Sequence, residues 1–297
     1  MKRIATLTLF VSLFVTTAAL ALDGAWTASL DDDRDHIYLN ITQSKHWNMG
    51  MTMSLASFAN LTPSQINAAT MTPVTFTMHR EAGTIAFEGT FRNGNGAGQF
   101  TFTPDRSYID KVKSLGLDFE LHRKHRETTE EEDLFTLALH DVSTSFIKSM
   151  QAIGYRTTLE KYLRMRIFNV TPEYVREMQS LFSEKLDDEE IVRSKIHGVS
   201  PQFVRDVRAL GYNDLPFESL VRFRIHGVTK EFINDIRGLG YNDISSEELV
   251  RFRIHGVTKE FIQDLHNAGY DHVPPEKLVQ MRIHGIDANM VKAMNGR

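Results

Sequence analysis

The stretch Arg251-Phe252-Arg253-Ile254-His255-Gly256-Val257-Thr258-Lys259-Glu260-Phe261-Ile262 decides how this chain is read. Its centre, Ile-His-Gly followed by Val or Ile, recurs at Ile196–Val199, Ile225–Val228, Ile254–Val257 and Ile283–Ile286, a period of 29 residues. A fixed period of this size marks stacked copies of one supersecondary unit, each too small to bury its own apolar face and each completing its neighbour. Within the unit the punctuation is that of two helices. Ser245, with Glu248 three residues on, forms a capping box, and Leu249, Val250, Phe252 and Ile254 supply a buried stripe. His255 closes this helix, its side chain expected to bond the free carbonyls, and Gly256 takes the left-handed position beyond it. Thr258 then caps a second helix bearing Phe261, Ile262 and Leu265, which Gly269 ends. Thr171-Pro172 and Ser200-Pro201 repeat that cap with proline at the first helical position. Helices of about ten residues are unstable alone in water, so stacking is obligatory.

Working outward, the copies are anchored at His140, Phe168, His197, His226, His255 and His284. After His284 only Asp287 to Met294 can form a second helix, and the polar Asp287, Asn289, Lys292 and Asn295 fit a terminal cap.

Upstream, the period changes to two, which means sheet. Strands are expected over Ala25–Leu30, His36–Thr42, Trp47–Ser54, Val74–Arg80, Thr84–Phe91 and Gln99–Thr103. Asn93-Gly94-Asn95-Gly96 and Glu81-Ala82-Gly83 read as hairpin turns, and Thr62-Pro63-Ser64-Gln65 as a helix start between strands. Trp26 and Trp47 read as core anchors rather than ligand platforms. Thr103-Pro104 is expected to open a helix with Tyr108, Ile109, Val112 and Leu115 on one face, ended by Gly116. It looks like a diverged copy of the second repeat helix, through which the sheet would cap the amino end of the repeats. The expected fold is therefore α+β: an N-terminal antiparallel β-meander domain followed by an all-α solenoid of short helix-pair repeats. The expected divisions are a signal peptide at 1–21, the β domain at 22–103, a first helix and charged linker at 104–139, and the repeats at 140–297.

The 297 residues are 41% hydrophobic and 24% charged, a globular composition, and a net charge of -4 advertises no overall basic field. Lys2 and Arg3, the apolar run Ile4 to Leu20 and the Ala19-Leu20-Ala21 ending read as a secretory signal cleaved after Ala21. With no cysteine, disulfides, thiolate metal sites and a cysteine nucleophile are excluded. A bacterial periplasmic or secreted protein is expected, with no membrane span after signal cleavage. No zinc-protease His-Glu-x-x-His, Gly-x-Ser-x-Gly elbow or phosphate-binding loop with lysine occurs. Neither an enzyme nor a cofactor is expected.

The candidate binding residues lie in columns one period apart. Arg164, Arg193, Arg222 and Arg251 form one row, with Gln280 at its end; Arg166, Lys195, Arg224, Arg253 and Arg282 form another. Two cationic rows suit an acidic peptide or extended anion. Against that stand ion pairs between repeats, with Asp206, Asp235, Asp264, Glu231 and Glu260 as acidic columns. Tyr212, Tyr241 and Tyr270 either pack over the next unit or line a groove. The histidine column cannot share one metal, because equivalent positions lie roughly 10 Å apart by ordinary helix packing. His122 and His125 have a spacing that suits two ligands on a helix, but no third ligand is evident.

The Ile-His-Gly-Val-Thr-Lys-Glu-Phe-Ile stretch with its downstream Leu-Gly-Tyr resembles helical repeats of exported bacterial proteins, among them those trailing the membrane metallopeptidase sensors of the beta-lactam-sensing antirepressor kind. The resemblance covers about Thr103 to Arg297. It implies an extracytoplasmic sensing or interaction role with a protein or peptide partner, without the peptidase, whose zinc motif and transmembrane bundle are missing here. Ile225-His226-Gly227-Val228 also resembles the turn of the helix-hairpin-helix DNA-binding module, with Thr229 where its second glycine would stand. That likeness implies a nucleic acid or other polyanion as the alternative partner.

Overall fold

The computed structural model describes residues 22–43, 47–121, 128–287, 290, 291 and 293. The chain divides into two compact units, Met1–Ser145 and Phe146–Arg297. The expected signal segment, His122, His125, Asn289, Lys292, Asn295 and the side chain of Trp47 lie outside the described residues.

The first unit holds one antiparallel sheet of β1 (Leu22–Leu30), β2 (His36–Gln43), β3 (Trp47–Ser54), β4 (Thr72–Arg80), β5 (Gly83–Arg92) and β6 (Asn95–Pro104). Its order, β3-β2-β1-β6-β5-β4, is two three-stranded meanders joined through β1 and β6. The β5–β6 turn is the expected one, with Asn93 at φ 48 and Gly94 at φ 81, the two left-handed residues that match strand twist. Alternation puts Ile37, Leu39, Ile41, Phe76, Met78, Phe87 and Phe100 on one buried face. Trp26 is buried there, as expected of a core anchor, and its indole Nε1 donates to the backbone oxygens of Glu88 (3.2 Å) and Gln99 (3.0 Å). The space for that ring comes from Gly89 paired with Gly98; a Cβ on Gly89 would stand 2.7 Å from the indole.

Helices α1 (Pro63–Ile66) and α3 (Glu130–Leu139) pack on the sheet, and α2 (Ser107–Ser114) follows β6. Thr62 and Gln65 complete the expected capping box of α1, whose Ile66 is buried. Phe135 of α3 stacks on Phe100 with centroids 5.3 Å apart and meets Phe102 edge-on at 5.2 Å. The helix expected to open at Thr103-Pro104 begins instead at Ser107. Strand β6 runs on to Pro104, opposite Gly83, and the proline then withdraws the donor that a further ladder step needs. Asp105 supplies the turn, its carboxylate accepting from the Ser107 amide at 3.0 Å.

The division between the units falls inside α4 (Thr144–Ala152). Beyond it run α5 (Leu159–Ile167), α6 (Pro172–Gln179), α7 (Asp188–His197), α8 (Pro201–Ala209), α9 (Phe217–His226), α10 (Lys230–Gly238), α11 (Ser246–His255), α12 (Lys259–Asn267) and α13 (Pro275–Ile283). Helices α5, α7, α9, α11 and α13 pack each against the next. Thr171, Ser200, Thr229 and Thr258 cap the helices that follow them, each accepting from the amide three residues on.

Two local expectations are corrected. Ile254, placed in the buried stripe of α11, is exposed, whereas Leu249, Val250 and Phe252 are buried; two residues past Phe252 is about 200° around the helix. The histidine side chain is also not the capping group. Among the described residues no ring nitrogen of His197, His226 or His255 bonds a carbonyl; the backbone closes the helix. In α9 the amide of Val228 donates to Phe223 O at 2.7 Å and that of Gly227 to Arg224 O at 3.3 Å, with Gly227 at φ 69.

Candidate functional site

The first arginine row forms ion pairs from one helix to the next odd-numbered helix. Arg164 Nη1 donates to both carboxylate oxygens of Glu189 at 2.7 Å. Arg193 grips Glu218, with its Nη2 bond at 2.9 Å, and Arg222 holds Glu247 at 2.6 and 3.0 Å. Arg251 continues the row on the exposed side of α11. The hydrogen bond from Arg193 holds the Glu218 carboxyl below the usual carboxylate range and pushes the guanidinium up. The acidic partners are thus Glu189, Glu218 and Glu247, near the start of the next helix, where a carboxylate also suits the helix dipole. They are not the acidic columns expected: Asp235 accepts from Lys259 Nζ at 2.7 Å and Asp206 from Gln202 Nε2 at 2.9 Å.

The second row is spent on aromatic faces. Arg166 lies over Phe146 (5.2 Å to the centroid), Lys195 over Tyr174 (4.0 Å), Arg224 over Phe203 (5.0 Å), Arg253 over Phe232 (4.9 Å) and Arg282 over Phe261 (5.0 Å). Each cation comes from an odd-numbered helix and each ring from the even-numbered helix directly before it, so the contact staples successive helix pairs, at about 0.5–2 kcal/mol apiece by the usual scale of such contacts. Burial pushes the Lys195 ammonium down. Arg224 Nε also donates to His197 O at 3.4 Å and Arg253 Nε to His226 O at 3.1 Å. A Cβ on Gly198, Gly227 or Gly256 would stand 2.8, 2.9 or 3.2 Å from Nη2 of Arg224, Arg253 or Arg282. The joint glycine therefore does two things: it takes positive φ and it leaves the seat for the next arginine. Phe232 and Phe261 are buried and Phe203 half-buried, while Val204, Ile233 and Ile262 are fully enclosed.

The tyrosines are clamps between pairs. Tyr212 donates its hydroxyl to Ile244 O and Tyr241 to Val273 O, both at 2.7 Å. Tyr155, which the repeat alignment passed over, does the same to Leu186 O at 2.7 Å; the Gly154-Tyr155 dipeptide was its signal. Tyr270 follows Gly269 after α12 and is half-buried. Burial pushes the phenols of Tyr155, Tyr212 and Tyr241 up, that of Tyr155 to about 12.

What the sequence reading missed is apolar. Ile167, Ile196, Ile225, Ile254 and Ile283 are 45, 44, 55, 50 and 56% exposed, and each directly follows a stacked cation of the second row. They recur once per helix pair beside the joint. Their signal was present: each stands next to the second-row cation and, in all but Ile283, two residues beyond the last buried residue of its helix.

Among the described residues no group of His, Asp and Glu is placed to hold a metal ion, and no helix is long and apolar enough to cross a membrane. No family model, curated protein or solved structure matches this chain.

Proposed function

We propose that this chain is a non-enzymatic, extracytoplasmic interaction protein. Its second unit is a solenoid of helix pairs with the 29-residue period of the sequence, and it binds a protein or peptide along the row Ile167, Ile196, Ile225, Ile254 and Ile283. Support for the solenoid comes from recurrence: the same cation–ring staple, tyrosine clamp and glycine joint reappear from pair to pair. The observation that carries the binding reading is the exposure of all five isoleucines. Burying one such side chain is worth about 1.5–3 kcal/mol, and a row of them with rungs roughly 10 Å apart favours a partner that lies along the stack. The arginine columns, spent on Glu189, Glu218, Glu247 and on aromatic faces, do not favour the polyanion alternative. The extracytoplasmic assignment rests on the apolar segment ending at Ala21.

A photo-crosslinking residue at Ile225, in the full chain expressed in its own host, is expected to trap a reproducible protein partner in the envelope fraction. The same residue at exposed Asn234 of α10 is expected to trap none. Loss of that partner in Ile196→Ser/Ile225→Ser/Ile254→Ser, with an unchanged thermal melt, completes the case. Equal trapping at both positions, or salt-sensitive DNA binding that survives the triple substitution, overturns it.

A further inference from the structure

The sheet of the first unit ends differently on its two sides. On the outer side of β4, Ala59 exchanges both backbone bonds with Thr77, at 2.8 and 3.1 Å, and Pro73 stands in the same strand. An added bridge and a proline are two ordinary ways of closing a sheet edge. On β3 neither is present. Trp47–Ser54 contains no proline and no charged residue, and its ladder with β2 runs without a bulge from His36 opposite Ser54 to Gln43 opposite Trp47.

Two bonds fix the phase of that ladder. The Leu55 amide donates to Asp35 O and the Asp31 amide to His36 O, each at 2.9 Å, so the odd-numbered residues of β2 bond β3 and the even-numbered ones bond β1. Met49, Met51 and Met53 therefore turn their backbone groups to β2, and Asn48, Gly50 and Thr52 turn theirs to the open side. Those three residues are exposed, and among the described residues nothing bonds their outward groups.

The open strand also matches itself. About Met51 the segment Asn48-Met49-Gly50-Met51-Thr52-Met53-Ser54 reads alike in both directions, with Met49 answering Met53 and the small or polar Gly50 and Asn48 answering Thr52 and Ser54. A two-fold contact between identical chains requires such a self-complementary patch. An antiparallel copy with Met51 opposite Met51 sets Gly50 against Thr52 and Asn48 against Ser54, so the outward groups meet as hydrogen-bonded pairs. A slip of one residue sets outward groups against inward ones and sends the methionines to the wrong face. The methionines call for the same cover: they are half-buried, whereas Ile37, Leu39 and Ile41 opposite them are fully enclosed.

We propose that β3 pairs antiparallel with β3 of a second copy of this chain, about a two-fold axis through Met51, so that two sheets become one and the methionine rows close its buried face at the seam. With no charge along Trp47–Ser54, no like charges oppose each other across the paired strands. The contact lies in the first unit and does not depend on the isoleucine row.

The test uses the full chain. Light scattering is expected to give a mass that rises with concentration to twice that of the chain. Because the chain has no cysteine, Met51→Cys places a single thiol on the axis, where the two Cα atoms of a non-hydrogen-bonded pair lie about 4.5 Å apart, within reach of a disulfide. Diamide is expected to link that variant into a dimer and to leave Thr75→Cys, exposed on β4, unlinked. Met51→Lys sets two ammonium groups against each other across the axis and is expected to give a monomer. Thr52→Pro, whose nitrogen faces the open side, removes one ladder bond from each copy and spares the methionines. It serves if Met51→Lys does not fold, and is expected to weaken association at least about tenfold. A chain that stays monomeric up to about 1 mM, a dimer that both variants keep, or linkage at Thr75→Cys as fast as at Met51→Cys overturns the proposal.

Discussion

The joint glycine and the arginine that seats on it form a pair whose coupling is measurable. Gly227→Ala introduces two penalties. The first is conformational: at φ 69 an L residue is in the left-handed region, costing about 1–2 kcal/mol, offset by about 0.4–1 kcal/mol from the stiffer unfolded chain. The second is contact: the new Cβ would stand 2.9 Å from Arg253 Nη2. Relief requires the guanidinium to leave its place, where it stacks on Phe232 at 4.9 Å and donates to His226 O at 3.1 Å. Losing a cation–ring contact at a partly exposed site costs about 0.5–1 kcal/mol and losing the hydrogen bond about 0.5–1.5. Gly227→Ala is therefore expected to destabilise by about 1–3 kcal/mol in the native background. In an Arg253→Ala background only the conformational part remains. Urea unfolding of the wild type, both single variants and the double variant yields the coupling as the departure from additivity, expected at about 1–2 kcal/mol. Additivity within about 0.3–0.5 kcal/mol would refute the claim that glycine stands at the joint to admit the arginine.

The clamps and their titration supply two further expectations. Tyr212→Phe removes the donor to Ile244 O and is expected to lower stability by about 0.5–1.5 kcal/mol in the same urea assay, whereas Tyr38→Phe, at a half-exposed ring on β2, is expected to be neutral. Alkali should loosen the repeats. Below about pH 10 the Tyr155 phenol is protonated in both states; between there and about 12 the unfolded chain releases a proton that the folded chain keeps, so stability falls with rising pH. The slope from this group is up to about 1.4 kcal/mol per pH unit, and Tyr155→Phe is expected to flatten the pH profile by that amount; an unchanged profile would mean that the clamp is not held in the folded state.

Where local chemistry decides conformation, the sequence was legible. Asn93-Gly94 fixes a hairpin by its two left-handed residues, Thr62 and Gln65 a helix start, and the even-numbered helices begin where their serine and threonine caps stand. The Thr103-Pro104 start failed because the same dipeptide that opens a helix also ends a strand, and only the pairing with Gly83 on β5 tells the two apart. The arginine rows were found as columns, but their use was not. Which acid lies opposite Arg193 depends on how helix pairs stack, and a spacing of one period supplies candidates without choosing between Asp206 and Glu218. Ile254 was misplaced for a related reason: in a helix buried on more than one side, Leu249, Val250 and Phe252 already satisfy the apolar stripe, and a fourth apolar residue two positions on need not join it.

The isoleucine row is set apart from everything around it by how little it varies among the copies. At Phe168 the joint loses both its histidine and its glycine, with Asn169 at φ 52 serving for the latter, yet Ile167 remains. Before Ile196 the stacked cation is Lys195 rather than arginine, and the ring beneath it is Tyr174 rather than phenylalanine. The elements that hold the pairs together thus tolerate exchange, because a left-handed residue, a cation or a ring can each be supplied in more than one way. The isoleucine is about half-exposed in each of these five helices, where a polar residue would dissolve better. A half-exposed apolar side chain that recurs although solubility opposes it is what the proposed partner would cover.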